Sequence, residues 1–358
     1  MHHNKLIKIN KKYIGKKRPV FIIAEAGVNH NGRLSIAKRL VDAAKSSGAD
    51  AIKFQTFNSE NLVSKEAGMA EYQEKNLGIS SKQIQMLKKL ELDYPQFILL
   101  KNYCDGKGIL FLSTPHTEDA IDFLDPLVPL YKIGSGDLTN LPFLLKIAKK
   151  GKPMIISTGM ATLQEVKEAV DIITPINKNL IVLQCTTSYP CDRGDVNLNS
   201  MKTIEKETGC LIGYSDHTLD FDVMAMAANM GAVVIEKHLT LKKTMKGPDH
   251  RASLEPDDFK KGVEMIRHLQ DSNFKIDIEV LGNYEKKPTK KELEILPFIR
   301  KSIISSKFIK KDQIITLSDI IIKRPATGIQ PKYIEQVIGK RAVINIRQDT
   351  PITAELIK

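Results

Sequence analysis

The chain has 358 residues, of which 42% are hydrophobic and 27% are charged. This balance is typical of a soluble globular protein of about two domains and is too apolar for a disordered chain. No run approaches the ~18 consecutive apolar residues of a membrane helix, and four cysteines are too few for a disulfide framework in so long a chain. No secretion signal is recognisable near residue 1, so the cytoplasm is the expected compartment.

Lys and Arg outnumber Asp and Glu by 54 to 42, which gives a net charge of +12. Residues 1–18 hold seven of the positive charges and no acid. We expect a solvated basic N-terminal arm here and no nucleic-acid partner, because the sequence has no DNA- or RNA-binding motif. Its aromatic fraction of 6% without any Trp also argues against a base-stacking surface.

Eight short apolar runs alternate with longer amphipathic segments along residues 19–270. The runs are residues 20–24, 51–54, 109–112, 130–133, 153–156, 180–183, 211–213 and 232–235. The predicted helices are residues 34–47, 82–107, 118–124, 141–150, 163–173, 199–208, 221–230 and 255–269. Such alternation indicates βα units and a parallel sheet, and eight units in about 250 residues predict an α/β fold of the closed (β/α)8 TIM-barrel type. A doubly wound open sheet would need a glycine-rich phosphate turn after the first run, which residues 24–30 lack.

The composition changes after residue 270. Residues 271–298 are polar and charged and are predicted to be a linker. Residues 299–358 contain short Ile-rich runs separated by turn residues, which predict a small β-rich domain near the lower size limit for an independent core.

Polar and ionisable residues follow all eight apolar runs, at the face where a TIM barrel carries its chemistry. Lys53, Lys132 and Lys237, together with hydroxyl side chains and glycine-flanked backbone amides, predict a cradle for an anion. Lys53 and Lys132 lie within apolar runs, where an unpaired cation would be costly. A small phosphorylated substrate fits this cradle better than a nucleotide does.

Two histidines follow the seventh and eighth runs. His217 and His238 are separated by about one βα repeat, so the barrel places them on neighbouring strands. Asp216 and Glu236 stand next to them and are expected to orient the imidazoles. Two imidazoles on one divalent cation would leave positions open for substrate, as in a Lewis-acid site rather than a closed structural zinc site.

The ordered motifs of this chain resemble those of the sialic acid synthase family. They are residues 23–32, 53–56, 131–137, 157–160, 213–218, 236–240 and 246–256. Residues 323–325 with Gly328 resemble the family's C-terminal module, called antifreeze-like or SAF. The resemblance covers roughly residues 15 to 355.

The resemblance implies a reaction and a set of roles. The family condenses phosphoenolpyruvate with open-chain N-acetylmannosamine, with water and with C–O cleavage, to give N-acetylneuraminate and phosphate. By matching motif, phosphoenolpyruvate would be held by Lys53, Thr114, Lys132, Ser135, Ser157 and Ser215. The sugar would be contacted by Gln55, Tyr189, Asp249 and Arg324. His217 and His238 would hold a divalent cation, usually Mn²⁺, with Mg²⁺ or Co²⁺ as alternatives, and the acid/base candidates are Glu25 and Asp137.

The resemblance also implies a homodimer in which the C-terminal modules are exchanged. Arg324 would then reach the barrel of the other subunit, where its planar guanidinium can engage the sugar while the module excludes water.

The sequence leaves the acceptor sugar open between two candidates. N-acetylmannosamine is favoured, because residues 186–190 carry a small neutral residue, Ser188, where synthases of the legionaminate branch often carry an acid. A 2,4-diacetamido-trideoxymannose, the acceptor of that branch, is the alternative. His116 follows Thr114 and Pro115, at a position where the family commonly has Phe. Two other functions are less favoured. A barrel that condenses phosphoenolpyruvate with an aldose phosphate would need a second basic cluster for the second phosphate. A protein that only binds a ligand would not need polar residues at the ends of all eight strands.

Overall fold

The computed structural model describes residues 6–269 and 275–358 of the chain. Its centre is a barrel of eight parallel strands that follows an N-terminal hairpin of β1 (Ile7–Ile9) and β2 (Lys12–Ile14). The barrel strands are β3 (Phe21–Gly27), β4 (Ala51–Thr56), β5 (Leu110–Pro115), β6 (Tyr131–Ile133), β7 (Met154–Ser157), β8 (Leu180–Cys185), β9 (Leu211–Asp216) and β10 (Val234–His238). The ladders run in the order β5-β4-β3-β10-β9-β8-β7-β6, and β5 packs against β6. The predicted TIM barrel is confirmed, with all eight strands at the predicted runs.

Side chains that alternate along each strand form two cores. Ile23, Ile155 and Ile181 belong to a core inside the barrel, whereas the neighbouring Ile22 and Ile156 pack outward against the helices. This alternation follows from the two-residue period of a strand. It also sets which strand-end side chains point into the mouth of the barrel.

Helices follow the strands as the amphipathic segments predict. They are α1 (Leu34–Ser46), α2 (Ser59–Leu62), α3 (Glu71–Leu77), α4 (Gln83–Leu90), α5 (Tyr94–Lys107), α6 (Glu118–Leu124), α7 (Leu141–Ala148), α8 (Leu163–Ile173), α9 (Ser200–Thr208), α10 (Asp222–Asn229) and α11 (Pro256–Arg267). The predicted helix over residues 82–107 is two helices, because Asp93 accepts a hydrogen bond from the Gln96 amide and caps a new helix with Pro95 in its first turn. In the part of the chain that the structure describes, no helix is long and apolar enough to cross a membrane.

The basic segment before the barrel is not the solvated arm that its charge predicts. Ile7, Ile9 and Ile14 of the hairpin are buried in the same core as the inward side chains of the barrel strands. The cations lie outside this core, and Lys16 pairs with Glu205 at 2.7 Å. Alternation of Ile with Lys lets one face of the hairpin cover the barrel's N-terminal end while the other stays in water. Residues 1–5 lie outside the described residues.

The predicted linker is only partly irregular. Its residues 271–274 lie outside the described residues, and its end forms α12 (Lys290–Ile299). Glu292 of this helix is buried and accepts hydrogen bonds from the amides of Met160 at 2.6 Å and Thr187 at 2.8 Å. The segment therefore carries a helix that is anchored to the loops after β7 and β8.

The C-terminal module is a small β-rich unit, as predicted. It contains β11 (Ser302–Ser305), β12 (Ile320–Lys323) and the short helix α13 (Ile334–Val337) around an isoleucine core. The module sits on the barrel of its own chain, because the Arg324 amide donates to the Leu62 carbonyl at 2.9 Å and the Ser64 amide donates to the Arg324 carbonyl at 2.9 Å. Arg324 thus reaches the barrel mouth of its own chain. The exchange of modules between two subunits stays a prediction.

Candidate active site

The carboxyl ends of the barrel strands open into a cavity. Thirteen of the fourteen site residues that the family resemblance implies line it, and Asp137 does not. They are Glu25, Lys53, Gln55, Thr114, Lys132, Ser135, Ser157, Tyr189, Ser215, His217, His238, Asp249 and Arg324. We call the cavity-lining side chains of the barrel strands the floor, and those that come from residues 72–90 and from the module the roof.

Two buried lysines stand on the floor and share one carboxylate. Lys53 lies 3.7 Å from Glu236 and 2.6 Å from Glu25, and its ammonium donates to Thr114 at 2.8 Å. Lys132 lies 3.3 Å from Glu236 and donates to Ser157 at 2.7 Å. The predicted cradle is therefore assembled from two cations and their hydroxyl partners.

Glu236 was expected to orient the imidazoles, but it bridges the two lysines instead. Its Oε1 also accepts a hydrogen bond from Ser215 at 3.2 Å. Burial alone would raise the pKa of Glu236, yet Lys132 and Lys53 outweigh burial and hold that pKa below its usual range. The floor thus holds an ionised carboxylate between two ammonium groups.

Lys237 does not belong to the cradle. Its ammonium lies 2.6 Å from Asp216 and donates to the Thr218 carbonyl at 2.8 Å, and it does not line the cavity. Asp216 is correspondingly committed to Lys237 rather than to a histidine. In the β10–β9 ladder Glu236 lies opposite Ser215, and Lys237 lies opposite Asp216. Successive side chains of a strand point to opposite faces, so Glu236 and Ser215 face the cavity while Lys237 and Asp216 face the helices.

A close approach of two loops completes the hydroxyl side of the floor. Ser135 accepts a hydrogen bond from the Gly159 amide at 2.9 Å. A Cβ atom at position 159 would stand 1.8 Å from the Thr187 hydroxyl and 2.8 Å from the Ser135 hydroxyl. Only glycine fits there, and its backbone amide thereby reaches the hydroxyl of Ser135, which lines the cavity.

Glu25 is the cavity's candidate for proton transfer. Its Oε1 accepts a hydrogen bond from Gln55 at 3.2 Å, and its Oε2 faces Lys53. Burial raises the pKa of Glu25 to about 7 despite the nearby ammonium of Lys53. A carboxyl that titrates near neutrality can both take and return a proton.

Asp137 is placed differently from its prediction as an acid/base candidate. Its carboxylate lies 2.7 Å from Lys301 of the module and 3.5 Å from Nδ1 of His116, and it accepts from Asn140 at 3.2 Å. Burial would raise the pKa of Asp137, but Lys301 and His116 hold it well below its usual range. The carboxylate is a committed ion-pair partner, so Glu25 is the better candidate for the base.

The two predicted metal ligands come together on β10 and the end of β9. The ring centroids of His217 and His238 are 5.4 Å apart, and both side chains are buried. Nδ1 of His217 donates a hydrogen bond of 2.8 Å to the Thr186 carbonyl, so Nε2 is the nitrogen left for a cation. Nδ1 of His238 has no hydrogen-bond partner among the described residues.

This pair fits a divalent cation held by two imidazoles. Nδ1 of His238 is available, and burial with the neighbouring His217 holds the pKa of His238 well below its ordinary value, so that ring is neutral as a ligand must be. Despite burial, Cys185 raises the pKa of His217 to about 9, so a cation bound at this ring would have to displace a proton. Within residues 6–269 and 275–358, no group of three or more His, Cys, Asp or Glu side chains is arranged to hold a metal. The remaining ligands would have to come from substrate or water.

Tyr189 and Asp249, from the loops after β8 and β10, line the cavity together with the roof. The ring of Tyr189 lies 4.4 Å from that of His217, and Tyr72 of α3 stacks on Tyr189 at 5.2 Å. Burial raises the pKa of Asp249 to about 6. Arg324 is 9% exposed. Among the described residues that line the cavity, the Lys and Arg residues are Lys53, Lys132 and Arg324.

Several lining residues were not predicted from the sequence. Tyr72, Gln73, Met86, Leu87 and Leu90 come from the long segment between β4 and α5. The unusual length of residues 58–80 does indicate a functional loop, because long loops on a barrel's catalytic face are usually functional, but it does not indicate which side chains reach the cavity. Ser188, on which the choice of sugar was based, does not line the cavity, and its hydroxyl donates to the Pro190 carbonyl at 2.9 Å.

Comparison with known proteins gives consistent matches over nearly the whole chain. The profile of the NeuB family matches residues 40–275, and that of the SAF domain matches residues 300–358. The chain is 46% identical to the N,N′-diacetyllegionaminic acid synthase of Legionella pneumophila, over 96% of this chain and 96% of that protein. It is 35% identical to the N-acetylneuraminate-9-phosphate synthase of Homo sapiens, over 97% and 95% of the two chains.

A solved structure has the same arrangement of barrel and module. The spore coat polysaccharide biosynthesis protein SpsE of Bacillus subtilis superimposes with a TM-score of 0.84 at 32% identity, covering 99% of each chain.

Proposed function

The chain belongs to the NeuB family, and from that premise we propose that it condenses phosphoenolpyruvate with an open-chain 2,4-diacetamido-2,4,6-trideoxymannose. The products would be N,N′-diacetyllegionaminate and phosphate. The single observation that carries the reaction class is the floor, where Lys53 and Lys132 with their hydroxyl partners stand beside the paired imidazoles.

The choice of sugar departs from the one favoured by the sequence. Support for N-acetylmannosamine came from Ser188, whose side chain does not line the cavity. Support for the diacetamido sugar comes from the 46% identity to a legionaminic acid synthase, against 35% to a synthase of the neuraminate branch. The alternative acceptor is therefore the better-supported one.

The floor residues bind and orient phosphoenolpyruvate. Its phosphate and carboxylate accept hydrogen bonds from Lys53, Lys132, Thr114, Ser135, Ser157 and Ser215, and buried ammonium groups bind such oxygens strongly. Held there, C3 of phosphoenolpyruvate attacks the aldehyde carbon of the sugar. When bound by His217 and His238, a divalent cation would supply Lewis-acid polarisation of the aldehyde oxygen.

Glu25 then acts on the second half of the reaction. Attack through C3 turns the aldehyde oxygen into an alkoxide and leaves an electron-poor C2. Water adds at C2, and its proton passes through the Glu25 carboxylate to the alkoxide. The resulting tetrahedral centre expels phosphate by cleavage of its C–O bond. Tyr189, Asp249, Gln55 and Arg324 surround the sugar, and the roof keeps bulk water from the electron-poor carbon.

Side-by-side kinetics on two acceptors test the proposed function. The purified chain is given phosphoenolpyruvate, Mn²⁺ and either the 2,4-diacetamido sugar or N-acetylmannosamine, and phosphate release and the sugar acid are measured. We expect kcat/KM to favour the diacetamido sugar by at least about tenfold, a difference of ~1.4 kcal/mol in transition-state binding. A preference for N-acetylmannosamine would instead support an N-acetylneuraminate synthase.

Isotope labelling tests the bond that breaks. With ¹⁸O in the bridging position of phosphoenolpyruvate, the label should leave with phosphate. Label in the sugar acid would contradict C–O cleavage.

A further inference from the structure

Four apolar side chains form one continuous side of the cavity. Val28 follows β3, and Met86, Leu87 and Leu90 lie on α4, and each is between 5% and 6% exposed. We call these four residues the apolar wall. Behind the wall, a hydrophobic cluster that includes Phe57, Leu62 and Met69 supports it.

Three of the four wall residues belong to α4 and not to the barrel strands that carry the reacting groups. The floor side chains come from the strands, whereas α4 belongs to the long segment after β4 that lies over the mouth of the barrel. The stacked rings of His217, Tyr189 and Tyr72 lead from the floor to that segment. A molecule that touches both the floor and the wall must therefore span the cavity.

The proposed reaction fixes which end of the sugar meets the wall, and this step rests on the proposed function. The aldehyde carbon has to lie on the floor, where it joins C3 of phosphoenolpyruvate. An open-chain sugar of six carbons then extends away from the floor, and its C6 end is the part that reaches the roof. The described wall side chains offer that end no hydrogen-bond donor, and their one acceptor is the weak thioether sulfur of Met86.

We propose that the apolar wall selects acceptors whose C6 is a methyl group. A methyl group placed there keeps contact with hydrocarbon on Val28, Met86, Leu87 and Leu90. A hydroxyl at the same carbon loses water and gains at most this weak acceptor from the wall, which disfavours it. The expected discrimination is about ten- to a hundredfold in kcat/KM, because an apolar pocket rejects an added hydroxyl only to that extent.

The matched test uses two sugars that differ at one atom. The acceptors are 2,4-diacetamido-2,4,6-trideoxymannose and 2,4-diacetamido-2,4-dideoxymannose, which differ only by the C6 hydroxyl. The wild-type chain should prefer the first by about ten- to a hundredfold in kcat/KM. Equal use of both sugars would overturn the role of the wall while leaving the proposed function standing, and use of N-acetylmannosamine with neither diacetamido sugar would overturn both.

A pair of methionine variants separates the wall from the packing behind it. Met86→Gln puts an amide of similar length into the wall, and Met69→Gln puts the same group into the cluster behind it, where Met69 is buried but does not line the cavity. Met86→Gln should reduce the preference for the 6-methyl sugar by about tenfold, and Met69→Gln should leave the ratio unchanged. Equal effects of both variants on the ratio would overturn the proposal.

A smaller change guards against misfolding of the glutamine variant. Val28→Thr keeps the shape of the side chain and adds one hydroxyl to the wall. It should lower the preference several-fold without a large change in melting temperature. If the ratio in Val28→Thr and in folded Met86→Gln equals that of the wild type, the wall does not select the sugar.

Discussion

Removing the ammonium of Lys301 should destabilise the contact between the module and the barrel. The side chains of Lys301 and Asp137 are only 3% and 2% exposed, and their charged atoms are 2.7 Å apart. Lys301 also donates to the His116 carbonyl at 2.6 Å and lies 5.1 Å from the centre of the Phe143 ring. In Lys301→Met the methionine keeps the hydrocarbon contacts, but Asp137 becomes a buried charge without its cation.

The expected loss is about 3–5 kcal/mol, the usual cost of removing one partner of a buried ion pair. That is a large part of the ~5–15 kcal/mol by which a folded protein is stable. The measurement is urea-induced unfolding of the full chain. The matched control is the double variant Asp137→Asn with Lys301→Met, which removes both charges and should recover most of the loss.

The pH dependence gives a second readout with a definite sign. In the wild type the pKa of Asp137 is lower in the folded than in the unfolded state, where it is about 3.9. The pair of Asp137 and Lys301 therefore stabilises the fold above that pH, and this stabilisation is lost as the pH falls through the folded pKa. Without Lys301 burial raises the pKa of Asp137, so the single variant should be least stable near pH 8 and gain on acidification towards pH 5. A single variant as stable as the wild type, or a double variant no better than the single one, would refute this reasoning.

Three further changes test the floor. Glu25→Gln should lower kcat by about 10²–10⁴-fold. The wild-type rate should fall as the pH drops below about 7, where Glu25 becomes protonated, and the rate of the variant should not show this fall. A near-normal rate in the variant would exclude Glu25 as the base. Lys132→Met should raise the KM for phosphoenolpyruvate at least about tenfold while the KM for the sugar changes little, because the lost ammonium belongs to the anion cradle; equal rises in both KM values would argue against the cradle. His238→Ala should abolish turnover and lower bound Mn²⁺ per chain while the circular dichroism spectrum stays that of the wild type, and retained metal-dependent activity would remove the metal assignment.

The barrel and its floor could be predicted because one geometric rule covers them. In a closed βα barrel the end of every strand opens on the same face, so residues as distant in sequence as Lys53 and His238 converge without any knowledge of side-chain contacts. Cations inside apolar runs were a second signal, since burial without a partner is costly. Lys53 and Lys132 do have partners, and these partners line the cavity.

The partners themselves were harder to predict. The pairing of Asp137 with Lys301 joins the barrel to the module across more than 160 residues, and nothing in the local sequence indicates it. Lys237 is a different case, because the two-residue period of β10 places it on the opposite face from Glu236 and His238. Strict use of that alternation would have removed Lys237 from the cradle and placed Glu236 in it.

The division between floor and roof explains why the reaction class was easier to infer than the sugar. The strands fix the floor, and the barrel cannot move Lys53, Lys132 or the histidines without changing its register. The roof is built from a loop segment and from the module, which can change sequence and length while the barrel stays intact. Ser188 lies beside the floor and makes a local hydrogen bond, so it carries little information about the far end of the acceptor. We therefore expect selectivity for that end to reside in cavity-lining side chains of the roof such as Met86 and Leu87.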